Sequence, residues 1–260
     1  MPRLNKKGGF KTLSKTHINL IKMAVDTKKE EVTIEQIDKN ELFIDKYKKA
    51  ILGAVVAVIV LIGAFFAYKY LYLAPREEKA EAAIFKGENY YASGAFNEAL
   101  NGDNRGYVGF IRIINDYSGT KTANLANGYA GICYAQLGKY KEALEYLNNF
   151  DADDAIVAPI VSGAKGDCYV ELGDYEQAVK AFLAAADKAD SKATATGVNN
   201  TISPLYLMKA ALVYEKQKNY SEALKIYNTI KEKYVASVQT QSGDVDKYIE
   251  RATQLSGKAE

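Results

Sequence analysis

The sequence is poor in the side chains that most often carry catalysis or bind metals. Its 260 residues include two cysteines and one histidine, His17. It also has no phosphate-binding glycine loop, no nucleophile elbow and no zinc-ligand spacing. Asp151, Asp153 and Asp154 form an acidic loop, but its spacing lacks the glycine and the distal glutamate of a calcium loop, which favours a solvated turn. We therefore predict no catalytic residue, no metal site and no cofactor, so the protein is not expected to be an enzyme.

A clustered basic face is also lacking. The 34 Lys and Arg residues nearly balance the 32 Asp and Glu residues, but unevenly along the chain. Residues 1–49 hold 12 basic and 7 acidic side chains, whereas residues 69–260 hold 22 and 25. Neither part concentrates cations as nucleic-acid binding requires, so no nucleic-acid partner is predicted.

Charge is absent altogether from residues 50–68, AILGAVVAVIVLIGAFFAY. As a helix this run is about 28 Å long, close to the thickness of a bilayer's hydrocarbon core. Tyr70 and Tyr72 follow it, where aromatic rings favour the headgroup level. We predict one transmembrane helix over residues 50–72, with a buried core helix as the alternative. The run exceeds the apolar region of a signal peptide and no A-x-A site follows, so the mature protein is expected to keep it.

The charge difference between the two flanks predicts the orientation. Residues 1–49 form a basic, partly disordered tail that we place in the cytoplasm, and the rest of the chain lies outside it. Within about twenty residues of each membrane end the Lys and Arg counts are equal, so the local charges favour neither orientation. The true start of the tail, Met1 or Met23, stays open. Within the span, two small-residue pairs would permit close contact with another helix: Gly53 with Ala57, and Gly63 with Ala67.

A seven-residue pattern recurs four times after the span. Its copies are GAFNEAL at 94–100, GKYKEAL at 138–144, GDYEQAV at 173–179 and KNYSEAL at 218–224. A tyrosine precedes each turn aromatic by six residues, and a tiny residue precedes it by nine: Tyr90, Tyr134, Tyr169 and Tyr214; Gly87, Gly131, Gly166 and Ala211. This is the tetratricopeptide pattern of two close-packed antiparallel helices joined by a glycine turn. We predict an all-α solenoid of about four repeats over residues 76–257.

Four further predictions concern the repeats and the segments beside them. Lys218 stands where glycine is usual, which should cost a little at that turn. Residues 246–255 should form a capping helix over the last repeat. Cys133 and Cys168 occupy equivalent positions in adjacent repeats, which favours core packing over a redox pair. The polar segment 187–203 is typical of a mobile linker.

The first helices of such repeats line a concave groove that binds other proteins. Fixed offsets from the turn aromatics select this lining: Ile84, Glu88, Tyr91, Ala92, Gly128, Ile132, Ala135, Gln136, Gly163, Asp167, Val170, Glu171, Met208, Leu212, Glu215 and Lys216. These residues are apolar and acidic, with one cation, Lys216. The predicted groove therefore suits an apolar side chain beside Gly128 and Gly163, and it does not suit the carboxylate clamp of some tetratricopeptide proteins. Alternatively, the chain's own C-terminal helix fills the groove.

Two stretches resemble the ancillary SecYEG translocon subunit family of bacteria, and its Bacteroidota-type members in particular: LYLAPREEKAEAAIFKGENYYASGAFNEALNGD and LANGYAGICYAQLGKYKEAL. The resemblance covers residues 41–250. It implies a single-pass inner-membrane protein that exposes its repeats to the periplasm. It also implies an adaptor near the translocon, whose partners are translocon components, periplasmic chaperones or emerging chains. A self-associating envelope scaffold, and hence a homo-oligomer, is the alternative.

Overall fold

The computed structural model describes residues 46–193 and 197–257. Most of the predicted tail, residues 1–45, lies outside the described residues, so its disorder stays a prediction. The chain divides into two units by its contacts, Met1–Tyr68 and Lys69–Glu260.

In the first unit, residues 46–67 form helix α1, and all of its residues are exposed. The candidate membrane span lies in the helix Lys46–Ala92, which begins with α1; its apolar window has no buried residue. This exposure favours the predicted span over the alternative of a buried core helix. A Cβ atom on Gly53 or Gly63 would meet nothing within 4 Å, so both predicted small-residue pairs are uncovered.

The second unit is an all-α solenoid of four antiparallel helix pairs. Residues 46–193 and 197–257 contain no strand. After a π-helix at Tyr68–Leu73 come α2 (Ala74–Ala92), α3 (Phe96–Asn101), α4 (Phe110–Asp116), α5 (Lys121–Gln136), α6 (Tyr140–Asn149), α7 (Val157–Glu171), α8 (Tyr175–Ser191), α9 (Ser203–Lys216), α10 (Tyr220–Lys233), α11 (Val238–Gln241) and α12 (Asp244–Ser256). The predicted fold class, helix pairs after one long apolar helix, is confirmed.

The four helix turns share one backbone geometry. Gly94, Gly138 and Gly173 have φ angles of 77°, 74° and 78°, and Lys218 has a φ of 59°. In every turn the N–H of the next residue donates to the carbonyl of the tyrosine five residues earlier, at 2.9 Å. This bond satisfies one of the last free carbonyls of the first helix, and it requires a left-handed residue just before the donor. Glycine adopts that conformation without strain, whereas lysine does not.

We expect Lys218→Gly to raise the free energy of unfolding by about 1 kcal/mol, because glycine adopts the left-handed backbone conformation without the strain that a Cβ atom causes there. The melting temperature should rise by roughly 2–4 °C for a domain of this size. Thermal denaturation of the full chain in mild detergent, followed by circular dichroism, measures the change. Gly138→Lys is the matched control. A Cβ at position 138 would meet nothing within 4 Å, so the reverse change should lower stability through the backbone alone. A less stable Lys218→Gly variant would contradict this account.

Small residues allow the two helices of each pair to approach closely. A Cβ on Gly131 would lie 2.5 Å from Cγ of Leu147, and one on Gly166 would lie 2.5 Å from Cε1 of Phe182. No side chain fits at these positions without movement of the neighbouring helix or ring. The second helices supply four alanines that have no exposed surface: Ala99, Ala143, Ala178 and Ala223.

Cys133 and Cys168 are free and buried. Burial raises the pKa of Cys133 to about 12 and that of Cys168 to about 11. Both cysteines therefore stay protonated and unreactive at neutral pH, which supports core packing over a redox pair.

In the first repeat, residues 102–109 form a structured loop between α3 and α4. The carboxylate of Asp103 accepts hydrogen bonds from the backbone N–H groups of Arg105 and Tyr107 and from the hydroxyl of Tyr90. The ring of Tyr107 occupies the space beside Gly87, where a Cβ would lie 2.0 Å from its oxygen. The loop thus fills the first repeat's core with its own aromatic ring.

The C-terminal helices close the solenoid. The predicted capping helix is α12, which packs against α10 and buries Val245 and Ala252 completely. The predicted linker, residues 187–203, begins within a helix, and its residues 194–196 lie outside the described residues. α8 continues to Ser191, and the carboxylate of Asp190 accepts hydrogen bonds from the N–H of Asn199 at 2.8 Å and from the hydroxyl of Ser203 at 2.6 Å. This carboxylate anchors the described part of the segment to the start of α9.

Candidate partner-binding groove

Several residues predicted to line the groove lie in the core instead. Ile84 is 5 % exposed and packs with Leu100 and Phe110. Gly128 and Gly163 are also buried. Their side-chain-free surfaces are therefore not directly open to a partner.

The space beside both glycines is filled by aromatic rings of the chain itself. A Cβ on Gly128 would lie 3.2 Å from the ring of Phe150, and one on Gly163 would lie 2.0 Å from the ring of Tyr206. Phe150 directly follows the last residue of α6, and Tyr206 comes from α9 of the next repeat. The two glycines thus make room for packing between elements and not for a partner's side chain.

Other predicted residues do meet around an open cleft of about 440 Å³, which we call the central cleft. α5 and α7 form most of its lining, and α2, α6 and α9 contribute single residues. The lining contains six predicted groove residues and five further ones: Tyr91, Ile132, Ala135, Gln136, Asp167 and Glu171; Tyr140, Ile160, Ala164, Cys168 and Tyr206. Ile160 is 40 % exposed in this lining, so the cleft offers an accessible apolar contact.

A second opening of about 630 Å³, the C-terminal cleft, lies between α9 and the last two helices. It contains the predicted Met208 and Leu212, together with Leu205, Lys209, Gln239, Asp244, Lys247, Tyr248 and Arg251. α12 packs on α10 and forms one wall of this cleft. The chain's own C-terminal helix therefore narrows this end of the groove but leaves a cleft open.

The C-terminal cleft contains the cations that the sequence pattern missed. Only Lys216 was expected near the groove, and its ammonium instead lies 5.0 Å from the ring centre of Tyr175. The cleft is lined by Lys209, Lys247 and Arg251. Two of them belong to α12, which lies outside the repeats, so an offset counted from the turn aromatics could not find them.

The remaining predicted residues have internal partners or lie at the edge of the groove. Glu88 accepts a hydrogen bond from Tyr129; burial, and then this carboxylate, raise the pKa of that phenol to about 12. Glu215 accepts from the hydroxyl of Tyr227 at 2.8 Å and from Arg251 at 2.6 Å. Val170 packs against the core of the last repeats, and Ala92 is exposed at the end of α2.

The acidic loop before α7 acts as a helix cap. The carboxylate of Asp154 accepts hydrogen bonds from the N–H groups of Ile156 and Ala158, at 2.8 Å and 3.2 Å, and from that of Val157. Burial raises the pKa of Asp154, but the backbone donors outweigh it and lower the pKa. Within residues 46–193 and 197–257 no three His, Cys, Asp or Glu side chains are arranged to hold a metal ion. The loop therefore orders the start of α7.

Comparisons with known proteins agree with the helix-pair architecture. Residues 162–187 and 206–237 match family models described as tetratricopeptide repeat. Similar solved structures include two of a Podosopora anserina putative kinesin light chain with nearly identical TPR-like repeats, one of them a variant form. The variant is 13 % identical with a TM-score of 0.51, covering 69 % of this chain and 87 % of that chain. The other is 14 % identical with a TM-score of 0.50, covering 69 % and 88 %.

No curated protein matches this sequence. At such low identity, the similarity to the solved structures concerns the fold alone. The local motif matches and the fold agree with the turn geometry described above. Residues 162–187 and 206–237 are therefore tetratricopeptide repeats, and the domain that contains them is a TPR-like solenoid.

Proposed function

We propose that this protein is a membrane-anchored adaptor that binds other proteins through the groove of its repeat domain. The observation that carries the proposal is the open central cleft. It combines exposed Ile160 and half-buried Ile132 with Gln136 and Glu171. A mixture of apolar surface and a few placed polar groups suits a polypeptide segment. Tetratricopeptide domains are in general protein-interaction modules.

The anchor in this proposal is α1 with the residues that follow it, residues 50–72. No residue of its apolar window is buried within the protein. In the proposal, the hydrocarbon core of a bilayer covers this apolar surface. The basic flank before the span and the slightly acidic domain after it support a cytoplasmic N-terminus and a periplasmic domain at a bacterial inner membrane.

The resemblance to the ancillary SecYEG translocon subunit family supports a site of action near the translocon. Translocon components, periplasmic chaperones and emerging chains are the partners that this placement implies. Each of them presents polypeptide segments that the groove could contact. The proposed role is to assist translocation or folding of envelope proteins.

Site-specific photo-crosslinking in cells tests the adaptor. A photoreactive residue in place of Ile160, in the central cleft, should form discrete adducts that mass spectrometry identifies as translocon, chaperone or client proteins. Ala184 is the control position, because it is exposed on α8 of the same repeat and lines neither cleft. No adducts at Ile160, or identical adducts at both positions, would contradict the proposal.

An alkaline phosphatase fusion after Glu260 tests the orientation. The fusion should be active, because that enzyme folds correctly only in an oxidising compartment. A well-expressed but inactive fusion would reverse the proposed topology.

A self-associating scaffold is the second candidate function. The uncovered surfaces at Gly53 and Gly63 favour it, because small residues permit close contact between membrane helices. It predicts oligomers in detergent that dissociate when both glycines are replaced by leucine. A monomer under all conditions would exclude it.

A further inference from the structure

The two clefts meet at an ion pair on α7 and α9. Asp167 lines the central cleft, Lys209 lines the C-terminal cleft, and their charged groups lie 2.7 Å apart. The Lys209 ammonium also lies 5.5 Å from the ring centre of Phe182 and 5.9 Å from that of Tyr206. Two aromatic rings and a carboxylate thus hold this cation at the boundary.

The charges that line the central cleft are all negative. They are the carboxylates of Asp167 and Glu171, on the same face of α7. Asp167 is paired with Lys209, whereas Glu171 is exposed and has no ion pair in the described part of the chain. Glu171 therefore leaves an uncompensated negative charge beside the apolar lining of the cleft.

The charges that line the C-terminal cleft are mainly positive: Lys209, Lys247 and Arg251 against Asp244. Lys247 pairs with Asp244 at 2.8 Å, and Arg251 pairs with Glu215 at 2.6 Å. The Glu215 side chain is only 12 % exposed, whereas that of Arg251 is 47 % exposed. The group of this pair that is exposed in the cleft is therefore the guanidinium of Arg251, which has further N–H donors for a carboxylate.

We propose that the groove selects polypeptide segments that are themselves dipolar, with a cationic end over Glu171, an apolar middle and a carboxylate end over Arg251 and Lys247. This inference rests on the proposed function and names the class of segment. Leu205 and Leu212, which are 45 % and 40 % exposed, supply the apolar contact in the C-terminal cleft. A segment with one sign of charge at both ends meets repulsion in one of the two clefts, and that repulsion provides the selectivity.

Three synthetic peptides with the same apolar middle test the inference by fluorescence anisotropy with the full chain in mild detergent. One carries lysines at one end and glutamates at the other, one carries lysines at both ends, and one carries glutamates at both ends. At low salt, the affinity for the mixed peptide should be at least about fivefold higher than that for either of the other peptides. This difference should become smaller as the salt concentration rises.

Charge reversal should exchange the preferences. Glu171→Lys should lower the affinity for the mixed peptide by about tenfold and raise the affinity for the peptide with two glutamate ends. Lys247→Glu should lower the affinity for the mixed peptide and raise the affinity for the peptide with two lysine ends. Glu145→Lys and Lys231→Glu are matched controls, because both side chains are exposed and line neither cleft. With these control variants, the affinity for each peptide should stay within about twofold of its value for the unmodified protein.

Three results would overturn the inference: equal binding of the three peptides, equal effects of the reversals and their controls, or no binding of any peptide. Photo-crosslinking at position 160 separates this failure from failure of the proposed function. Discrete adducts there, together with no charge preference, would remove the dipolar selectivity and keep the adaptor.

Discussion

Replacing Gly131 by alanine is expected to lower the free energy of unfolding by about 3 kcal/mol. The added Cβ would lie 2.5 Å from Cγ of Leu147 and 3.0 Å from its backbone nitrogen. Because one of these atoms belongs to the backbone, a rotamer change cannot relieve the contact, and α5 and α6 must move apart. The melting temperature of the full chain in detergent should fall by roughly 6–12 °C.

Gly128→Ala is the matched control in the same helix. Its Cβ would lie 3.2 Å from the side chain of Phe150, which can shift slightly, and alanine favours a helix over glycine by about 1 kcal/mol. We therefore expect stability to stay within about 1 kcal/mol of the unmodified protein. If Gly131→Ala proves as stable as Gly128→Ala, the close approach of α5 and α6 does not explain why glycine stands at position 131.

Replacing Asp190 by asparagine is expected to cost about 2–3 kcal/mol. Its carboxylate joins α8 to α9 and α10: it accepts from the Lys233 ammonium and the Tyr234 hydroxyl, both at 2.7 Å, as well as from Asn199 and Ser203. An amide would present N–H groups to some of these donors and would leave Lys233 without its ion pair. Asp187→Asn, at an exposed position on the same helix, is the control and should have little effect.

The same carboxylate predicts a dependence of stability on pH. Burial raises the pKa of Asp190, but hydrogen bonds from the Asn199 N–H, Lys233, Ser203 and Tyr234 outweigh it and hold the pKa below its ordinary value of 3.8. A depressed pKa contributes stability that is fully present above the unfolded value and is lost as the pH falls below it. The stability difference between the unmodified protein and Asp190→Asn should therefore be largest near neutral pH and should narrow below about pH 4. A difference that stays constant down to pH 3 would show that the ionised carboxylate is not its source.

The sequence by itself determined the repeat architecture of this protein. Turn residues, tiny residues and tyrosines recur at fixed offsets, because each helix pair must meet the same backbone and packing requirements. The strained turn at Lys218 and the capping helix followed from that repeat. The exposed apolar surface of α1 was equally predictable, because a helix of nineteen uncharged, mainly apolar residues is apolar on every side.

Only the tertiary structure decided what the groove contains. Gly128 and Gly163 appeared as free space in the sequence, but Phe150 and Tyr206 reach them from neighbouring elements. Arg251 and Lys247 enter the groove from α12, which belongs to no repeat. Periodicity records what each repeat requires of itself. Contacts between repeats, and with the capping helix, depend instead on how separate elements stack, and residues far apart in the chain make them.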